Sequence, residues 1–162
     1  MIDRKALLSW ALTGYVSLVF LQSLFFKFTN SPETMHIFGT LDLWAEEAFG
    51  LGGLFGVGGP FSAYVVGTAE LVASALLLSG MAFRKEVLNG LGAILGLGVI
   101  SGAIFFHLFT PLGIVIENKE LGIEGDGGLL FFMACGVWLS CAALLYLRRQ
   151  ALLESFSIPK SS

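Results

Sequence analysis

Five polar side chains lie within or beside long apolar stretches of the sequence, where polar groups are most costly: Gln22, Lys27, Glu70, His107 and Asp126. Carboxyl, imidazole and ammonium groups in apolar surroundings can hold a proton, bind a polar head group or tie helices together. If the fold brings them to one place, they predict a polar pocket between helices.

Glu70 is the most informative of the five residues. It lies near the middle of an apolar segment, where an ionised carboxylate costs at least about 2.5 kcal/mol. We therefore expect its side chain to face other helices and to be either protonated or paired. Gly67 and Ser74 share its face at positions i−3 and i+4. A purely structural hydrogen bond between helices is the alternative interpretation.

Lys27 and His107 each lie near the end of an apolar segment. The Lys27 ammonium either extends to the lipid head groups or pairs with a carboxylate or an anionic ligand. His107 shares a face with small residues such as Gly96 and Ala93, which predicts that it points into the bundle. There it satisfies a neighbouring polar group, takes part in proton transfer or binds a metal.

Asp126 and Gln22 complete the candidate set. Asp126 precedes a further apolar segment, and its simplest interpretation is a helix N-cap, at the depth where Lys27 and His107 also lie. Gln22 lies on a different face of the first apolar segment, together with Tyr15, and adds an uncharged polar group at membrane depth.

Composition indicates a membrane protein. Hydrophobic residues make up 56% of the 162 residues and charged residues 13%, against about 25% charged residues in soluble domains. A soluble protein of this size has too little interior for so many apolar side chains. The net charge of −3 gives no reason to expect a nucleic-acid partner. No phosphate-binding loop, dinucleotide fingerprint or metalloprotease motif occurs, and no metal or cofactor site is evident.

Four apolar segments of about 20 residues each match the thickness of a bilayer. They cover about residues 6–28, 60–80, 87–109 and 128–147. The sequence therefore predicts an all-α protein, a polytopic membrane four-helix bundle built as a single domain over residues 1–162.

Basic residues predict the orientation of these spans. Seven of the nine Lys and Arg residues flank the spans on one side, and the loops of the other side are acidic. Since basic flanks stay in the cytoplasm, both termini are predicted to be cytoplasmic and the protein to lie in the inner (plasma) membrane. The basic residues of that side are Arg4, Lys5, Arg84, Lys85, Arg148, Arg149 and Lys160.

The connecting segments carry their own signals. Ser31-Pro32-Glu33 is typical of a helix start, and apolar residues at helical spacing continue to about Phe49. This pattern predicts a short interfacial helix in the first outer loop. The glycine-rich stretch 50–60 is expected to be irregular, and the alternation over 114–123 predicts a small hairpin.

Small residues spaced four apart predict where helices approach closely. The pairs are Gly92/Gly96, Gly98/Gly102 and Gly136/Ser140. They serve either packing within one chain or contact with a second copy, which leaves a homo-oligomer possible. Cys135 and Cys141 lie six residues apart, on different helix faces, and are expected to be inert thiols.

At these residues the sequence resembles the DoxX-like family of small four-helix integral membrane proteins. The resemblance covers nearly the whole chain through short motifs: Phe25-Phe26-Lys27-Phe28, Ser31-Pro32-Glu33-Thr34-Met35-His36-Ile37-Phe38, Gly67-Thr68-Ala69-Glu70-Leu71, Leu76-Leu77-Leu78-Ser79-Gly80, His107 and Gly125-Asp126-Gly127-Gly128-Leu129.

The family resemblance implies three kinds of function. Some members are linked to quinone-dependent oxidation of sulfur compounds or to complexes that handle oxidative stress, and remote relatives assist membrane-protein assembly. The first hypothesis is accordingly a quinone- or small-amphiphile-binding component of a redox or stress-response system, acting with a membrane or redox partner rather than as a stand-alone enzyme. The alternatives are a non-enzymatic assembly or interaction protein and a small transporter that works as an oligomer.

Overall fold

A computed structural model describes residues 4–156, which contain five α-helices joined by turns and irregular segments. The helices are α1 (Arg4–Phe28), α2 (Pro32–Phe49), α3 (Ala63–Ala82), α4 (Glu86–Phe109) and α5 (Leu129–Phe156). The described part contains no β-strand, so the predicted all-α class is confirmed. Lys160, one of the charges used to predict the orientation, lies outside the described residues.

Four of the helices are long and apolar enough to cross a membrane: α1, α3, α4 and α5, of 25, 20, 24 and 28 residues. Their outward surfaces carry large apolar side chains such as Phe25, Phe132 and Leu139, which suit contact with lipid tails. These helices coincide with the four apolar segments of the sequence to within a few residues, except that α5 continues nine residues past residue 147.

The four long helices form a ring in the order α1, α3, α4 and α5. α4 packs against both α3 and α5, and α1 packs against α3 and less extensively against α5. One end of the ring carries α2 and the segments 50–62 and 110–128, and we call it the loop end. The other end carries the start of α1, the turn 83–85 and the end of α5, and we call it the terminal end.

Close helix approach depends on a few glycines. A Cβ on Gly92 would lie 2.7 Å from the backbone nitrogen of Leu77, and a Cβ on Gly80 would collide with the backbone of Asn89. These contacts bring α3 and α4 together. Of the two uses left open by the sequence, Gly92 and Gly96 serve packing within the chain, whereas Gly98 has no atom within 4 Å of its Cβ position and faces outward.

The loop end has a small apolar core of its own, formed by Leu41, Ala45, Phe55, Leu112 and Ile116. The helix α2 begins and ends as the sequence predicts. The Ser31 side chain caps it by accepting a hydrogen bond from the Thr34 backbone N–H, and Gly50 ends it in the left-handed conformation.

The segment 110–128 corrects one prediction. The hairpin expected over 114–123 does not form, and only an isolated bridge joins Asn118 to Ile123 around a 3₁₀ turn at Lys119–Leu121. Polar side chains form hydrogen bonds with backbone N–H groups of this segment, which are then not available for a β-ladder. Asp126 accepts from the Ile116 N–H, and Asn118 accepts from the Leu121 N–H.

Candidate functional site: a buried ion pair and its surroundings

Lys27 and Glu70 form an ion pair between α1 and α3. The Lys27 Nζ lies 2.9 Å from Oε2 and 3.1 Å from Oε1 of Glu70. Ser23, one turn before Lys27, donates its hydroxyl to Oε2 at 2.7 Å. We call these three residues the loop-end cluster. Glu70 faces other helices and is paired, which confirms the prediction made from its position in the span.

The surrounding sequence allows this approach of α1 and α3. Gly67, one turn before Glu70, has no side chain, and the space is filled by the Phe28 ring and Leu24 of α1. A Cβ at Gly67 would lie 2.8 Å from Phe28. The four-carbon stem of Lys27 lets the ammonium extend back from the end of α1 to reach the carboxylate.

The ion pair is largely buried. The exposed fractions of the two side chains are 16% for Lys27 and 7% for Glu70. In such a place the attraction between the charges must offset the cost of removing both from water. Lys27 therefore pairs with a carboxylate and does not extend to the lipid head groups, which decides between the two interpretations of this residue.

His107 lies at another contact of the bundle. Its ring is 5.8 Å from that of Phe131 on α5, and its Nδ1 lies 2.6 Å from the Gly113 carbonyl oxygen. Because a carbonyl only accepts, Nδ1 carries the hydrogen and donates it. His107 is buried, as its small-residue face predicts. Its ring makes no hydrogen bond to Lys27 or Glu70.

Asp126 organises the loop next to His107. Its carboxylate accepts hydrogen bonds from the backbone N–H groups of Ile116 (2.9 Å), Gly128 (3.0 Å) and Leu130 (3.0 Å). Burial acts to raise the pKa of Asp126, but these bonds and the charge of His107 outweigh it and lower the pKa. Asp126 therefore caps the start of α5, as predicted, and also fixes the preceding loop.

The predicted pocket is thus divided. Lys27 and Glu70 meet between α1 and α3, whereas His107 contacts Gly113 and Phe131, and Asp126 caps the start of α5. Gln22 is exposed on the outer surface of α1. Side-chain type and depth predicted both groups, but the sequence could not show which helices are neighbours.

Two cavities lie at the loop end. One, of about 270 Å³, lies between α2, the segment 55–57 and the start of α3, and its polar lining includes Asn30 and Tyr64. The other, of about 430 Å³, lies beside Asp126 and Glu33. Lys27, Glu70 and His107 line neither cavity.

The segment 53–56 that borders the first cavity is held by one carboxylate. Asp42 of α2 accepts from the backbone N–H groups of Phe55 (2.8 Å), Gly53 (3.1 Å) and Gly56 (3.2 Å). The bond from Phe55 is the largest influence, and the three bonds lower the pKa of Asp42 against the opposing effect of burial. Sequence reasoning missed this role, because nothing in the sequence shows that the glycine-rich loop folds back over α2.

A second polar group, at the terminal end, was also missed. The side-chain amide of Asn89 donates to the Thr13 hydroxyl (3.1 Å) and to the Leu77 carbonyl (3.0 Å). Its oxygen accepts from Arg148, which also pairs with Glu86 at 3.0 Å. We call Thr13, Asn89, Glu86 and Arg148 the terminal-end network. The sequence did contain one signal for this network: Asn89 is a lone amide inside an apolar span, and such a group is expected to have a hydrogen-bond partner.

Comparison with known proteins identifies no relative of this chain. Protein-family profiles, curated proteins and solved structures each give no match to this chain. Within residues 4–156, no group of three or more His, Cys, Asp or Glu side chains is placed to hold a metal ion.

Proposed function

We propose that this chain is a DoxX-like protein of the inner membrane, with both termini in the cytoplasm, that binds a quinone or a similar small amphiphile as part of a redox or stress-response system. The observation that carries the proposal is the 270 Å³ cavity at the loop end, next to a buried ion pair. Its volume is close to that of the smaller ligand pockets of proteins.

The cavity has one polar wall suited to a carbonyl oxygen. The Asn30 amide donates to the Tyr64 hydroxyl oxygen at 2.6 Å. The phenolic hydrogen of Tyr64 has no acceptor among the described residues, so it can donate to a head-group oxygen. Asn30 has a φ of +50°, a conformation that Asn adopts more readily than most residues.

Apart from Asp42, Thr34 and Ser62, the remaining side chains that line the cavity are apolar and suit a ring and tail. Phe38 and Phe55 line its interior, and the exposed side chains of Met35, Leu43 and Val57 border its mouth. A ring head group would lie between the phenylalanines, and its tail would leave past Met35 and Val57.

The cavity is coupled to the ion pair through one aromatic ring. Phe28 stacks on Tyr64 with 6.1 Å between centroids, and it also covers Gly67, one turn before Glu70. A ligand that moves Tyr64 would therefore also move the ring that covers Gly67. His107 is left out of the proposed contact, because its Nδ1 is already bonded to Gly113.

The test is binding of a short-chain quinone to the purified chain in nanodiscs, measured by tryptophan fluorescence quenching, together with mass spectrometry of co-purified lipids. Gly39→Leu should abolish binding, because Gly39 lines the cavity and has open space at its Cβ position. Tyr64→Phe should weaken binding about fivefold through the loss of one hydrogen bond. Gly98→Leu, the same change on an outward face of α4, is the control and should bind normally.

A second function is favoured by the terminal-end network. Its hydrogen bonds join α1, α3, α4 and α5, which suits a non-enzymatic assembly or interaction protein whose polar groups fix helix packing. If wild-type protein binds no quinone, or Gly39→Leu binds as well as wild type, the amphiphile proposal is wrong. Recovery of a membrane partner by crosslinking in that case would support the assembly function.

A further inference from the structure

Three serine hydroxyls are buried without a hydrogen-bond partner among the described residues: Ser9, Ser17 and Ser74. Each is at most 3% exposed. A buried hydroxyl without a partner costs about 1–3 kcal/mol, so three in one small bundle need an explanation. If these three positions served only close packing of helices, alanine would fill them as well as serine does.

Two polar contacts fix the register of α1 against α3. Ser23 bonds to Glu70 near the loop end. Nearer the terminal end, the amide nitrogen of Asn89 bonds to both Thr13 and the Leu77 carbonyl, so these two residues lie at the same depth.

Ser17 and Ser74 lie between these two levels. Ser17 follows Thr13 by four residues on α1, and Ser74 follows Glu70 by four residues on α3. Because the helices are antiparallel, both positions fall at about the same depth, Ser17 one turn from Thr13 and Ser74 one turn from Glu70. The two unpartnered hydroxyls therefore face the same level of the α1–α3 contact.

The spacing of the hydroxyls matches bridging by single water molecules. Four residues rise about 6 Å along a helix, and one water spans two oxygens about 5.6 Å apart. From Glu70 the series continues through Ser74 and Ser17 to Thr13 and then to Ser9, about five residues from the start of α1. Buried waters occur where such polar groups lack partners.

We propose that this series is a water-bridged proton path that connects Glu70 to the terminal end of the bundle. A proton from water at that end is passed from oxygen to oxygen along Ser9, Thr13 and the Ser17/Ser74 pair. Each oxygen accepts one proton and releases another, and the last proton binds a Glu70 carboxylate oxygen. The ion pair is then broken, and Lys27 is left as the only charge of the loop-end cluster.

The charges around Glu70 determine from which end of the bundle a proton reaches its carboxylate. Lys27 lies on the loop-end side of the carboxylate and repels an approaching proton from there. On α4, which also packs against α3, the titratable groups are Glu86 and His107, bonded to Arg148 and to the Gly113 carbonyl. Neither touches Glu70, so the hydroxyl series is the remaining polar route.

The test follows protonation of Glu70 in the full chain in nanodiscs, without quinone, so that it is independent of the proposed ligand. A caged acid releases protons, and time-resolved infrared spectroscopy records the carboxylic-acid band that is missing in Glu70→Gln. Ser17→Val and Ser74→Val remove a hydroxyl and fill the space for water, and we expect protonation to slow about a hundredfold.

Two variants control for folding and for the substitution itself. Ser79→Val makes the same change on α3 at a half-buried hydroxyl that donates to the Ala75 carbonyl, and it should keep the wild-type rate. Ser17→Ala leaves room for water and should slow protonation less than Ser17→Val. Equal rates in all these variants, or no protonation of Glu70 in wild type, would overturn the proposal.

Discussion

The loop-end cluster and the terminal-end network place polar groups inside the same bundle in different ways. The cluster joins two helices through one ion pair, with side chains 16% and 7% exposed. The network joins four helices through a neutral amide that uses both of its amide hydrogens and its oxygen. A neutral amide bonded on all sides has one stable arrangement, whereas a carboxylate next to one flexible ammonium can exist paired or protonated.

The comparison indicates that the Asn89 amide fixes the helix packing, whereas the Lys27–Glu70 pair can form or break. The backbone of Asn89 lies directly against Gly80 of α3, so its position is fixed by backbone contact. Glu70 lies beside Gly67, where the contact across the helices is a phenylalanine ring that can turn. The expected effects of substitution follow this contrast.

The largest effect is expected for Lys27→Met. It leaves the Glu70 carboxylate buried without its cation, which should cost about 3–5 kcal/mol of unfolding free energy. Glu70→Gln should cost only about 1 kcal/mol, because Lys27 can then extend to the head groups. Unfolding by SDS in mixed micelles measures both. The double variant should recover most of the loss; a double variant as unstable as Lys27→Met would show that packing of the lysine stem matters more than charge.

Gly80→Ala tests the close approach at the terminal end. The added methyl group would collide with the backbone of Asn89, and separating α3 from α4 should cost about 2–3 kcal/mol. Gly98→Ala, where the Cβ has no neighbour within 4 Å, is the matched control and should not be destabilised. Equal stability of the two variants in the same SDS titration would contradict a backbone contact at Gly80.

Asn89→Ala tests the network itself. Interhelical hydrogen bonds in membranes average about 0.6 kcal/mol and reach about 1.7, so loss of its three partners should cost about 2 kcal/mol. Thermal unfolding in detergent gives the change. The control is Gln22→Ala, which removes an exposed amide of α1. A cost for Gln22→Ala as large as that for Asn89→Ala would mean that the amide is not what joins the helices.

Acid should loosen the loop end before the terminal end. The pKa of Asp126 is lowered in the folded protein, so its contribution to stability is complete above the pKa of the unfolded chain, near 4, and is lost as the pH falls through the lower folded value. NMR of the Ile116 and Leu130 amides, which donate to this carboxylate, should show the loss at low pH. Asp126→Asn should remove that pH dependence.

The smallest effect is expected at the outer part of the network. Glu86 is 58% exposed, and its pair with Arg148 is therefore screened by solvent. Glu86→Gln should change the unfolding free energy by no more than about 0.5 kcal/mol, while Arg148 keeps its bond to Asn89. A larger loss of unfolding free energy would show that the Glu86–Arg148 pair stabilises the bundle as well as the Asn89 amide.

Local patterns predicted the helices and part of the site. Apolar length predicted the four spans, Ser31-Pro32-Glu33 predicted the start of α2, and the cost of a carboxylate in lipid predicted that Glu70 is paired. The partner could not be predicted, because α3 packs against both α1 and α4, and the sequence does not show which of the two the Glu70 side chain faces. The hairpin at 114–123 was wrong because alternation takes no account of Asp126, which binds the backbone from outside that segment.

The contact between α3 and α4 also bears on how the chain enters the bilayer. Only residues 83–85 separate the two helices, and Gly80 and Gly92 let their backbones touch. We expect them to insert together as a helical hairpin, on which the buried amide of Asn89 already has the Leu77 carbonyl as an acceptor. α1, synthesised first, would then dock late, when its Thr13 meets that amide. The order of assembly in the membrane would thus differ from the order of synthesis.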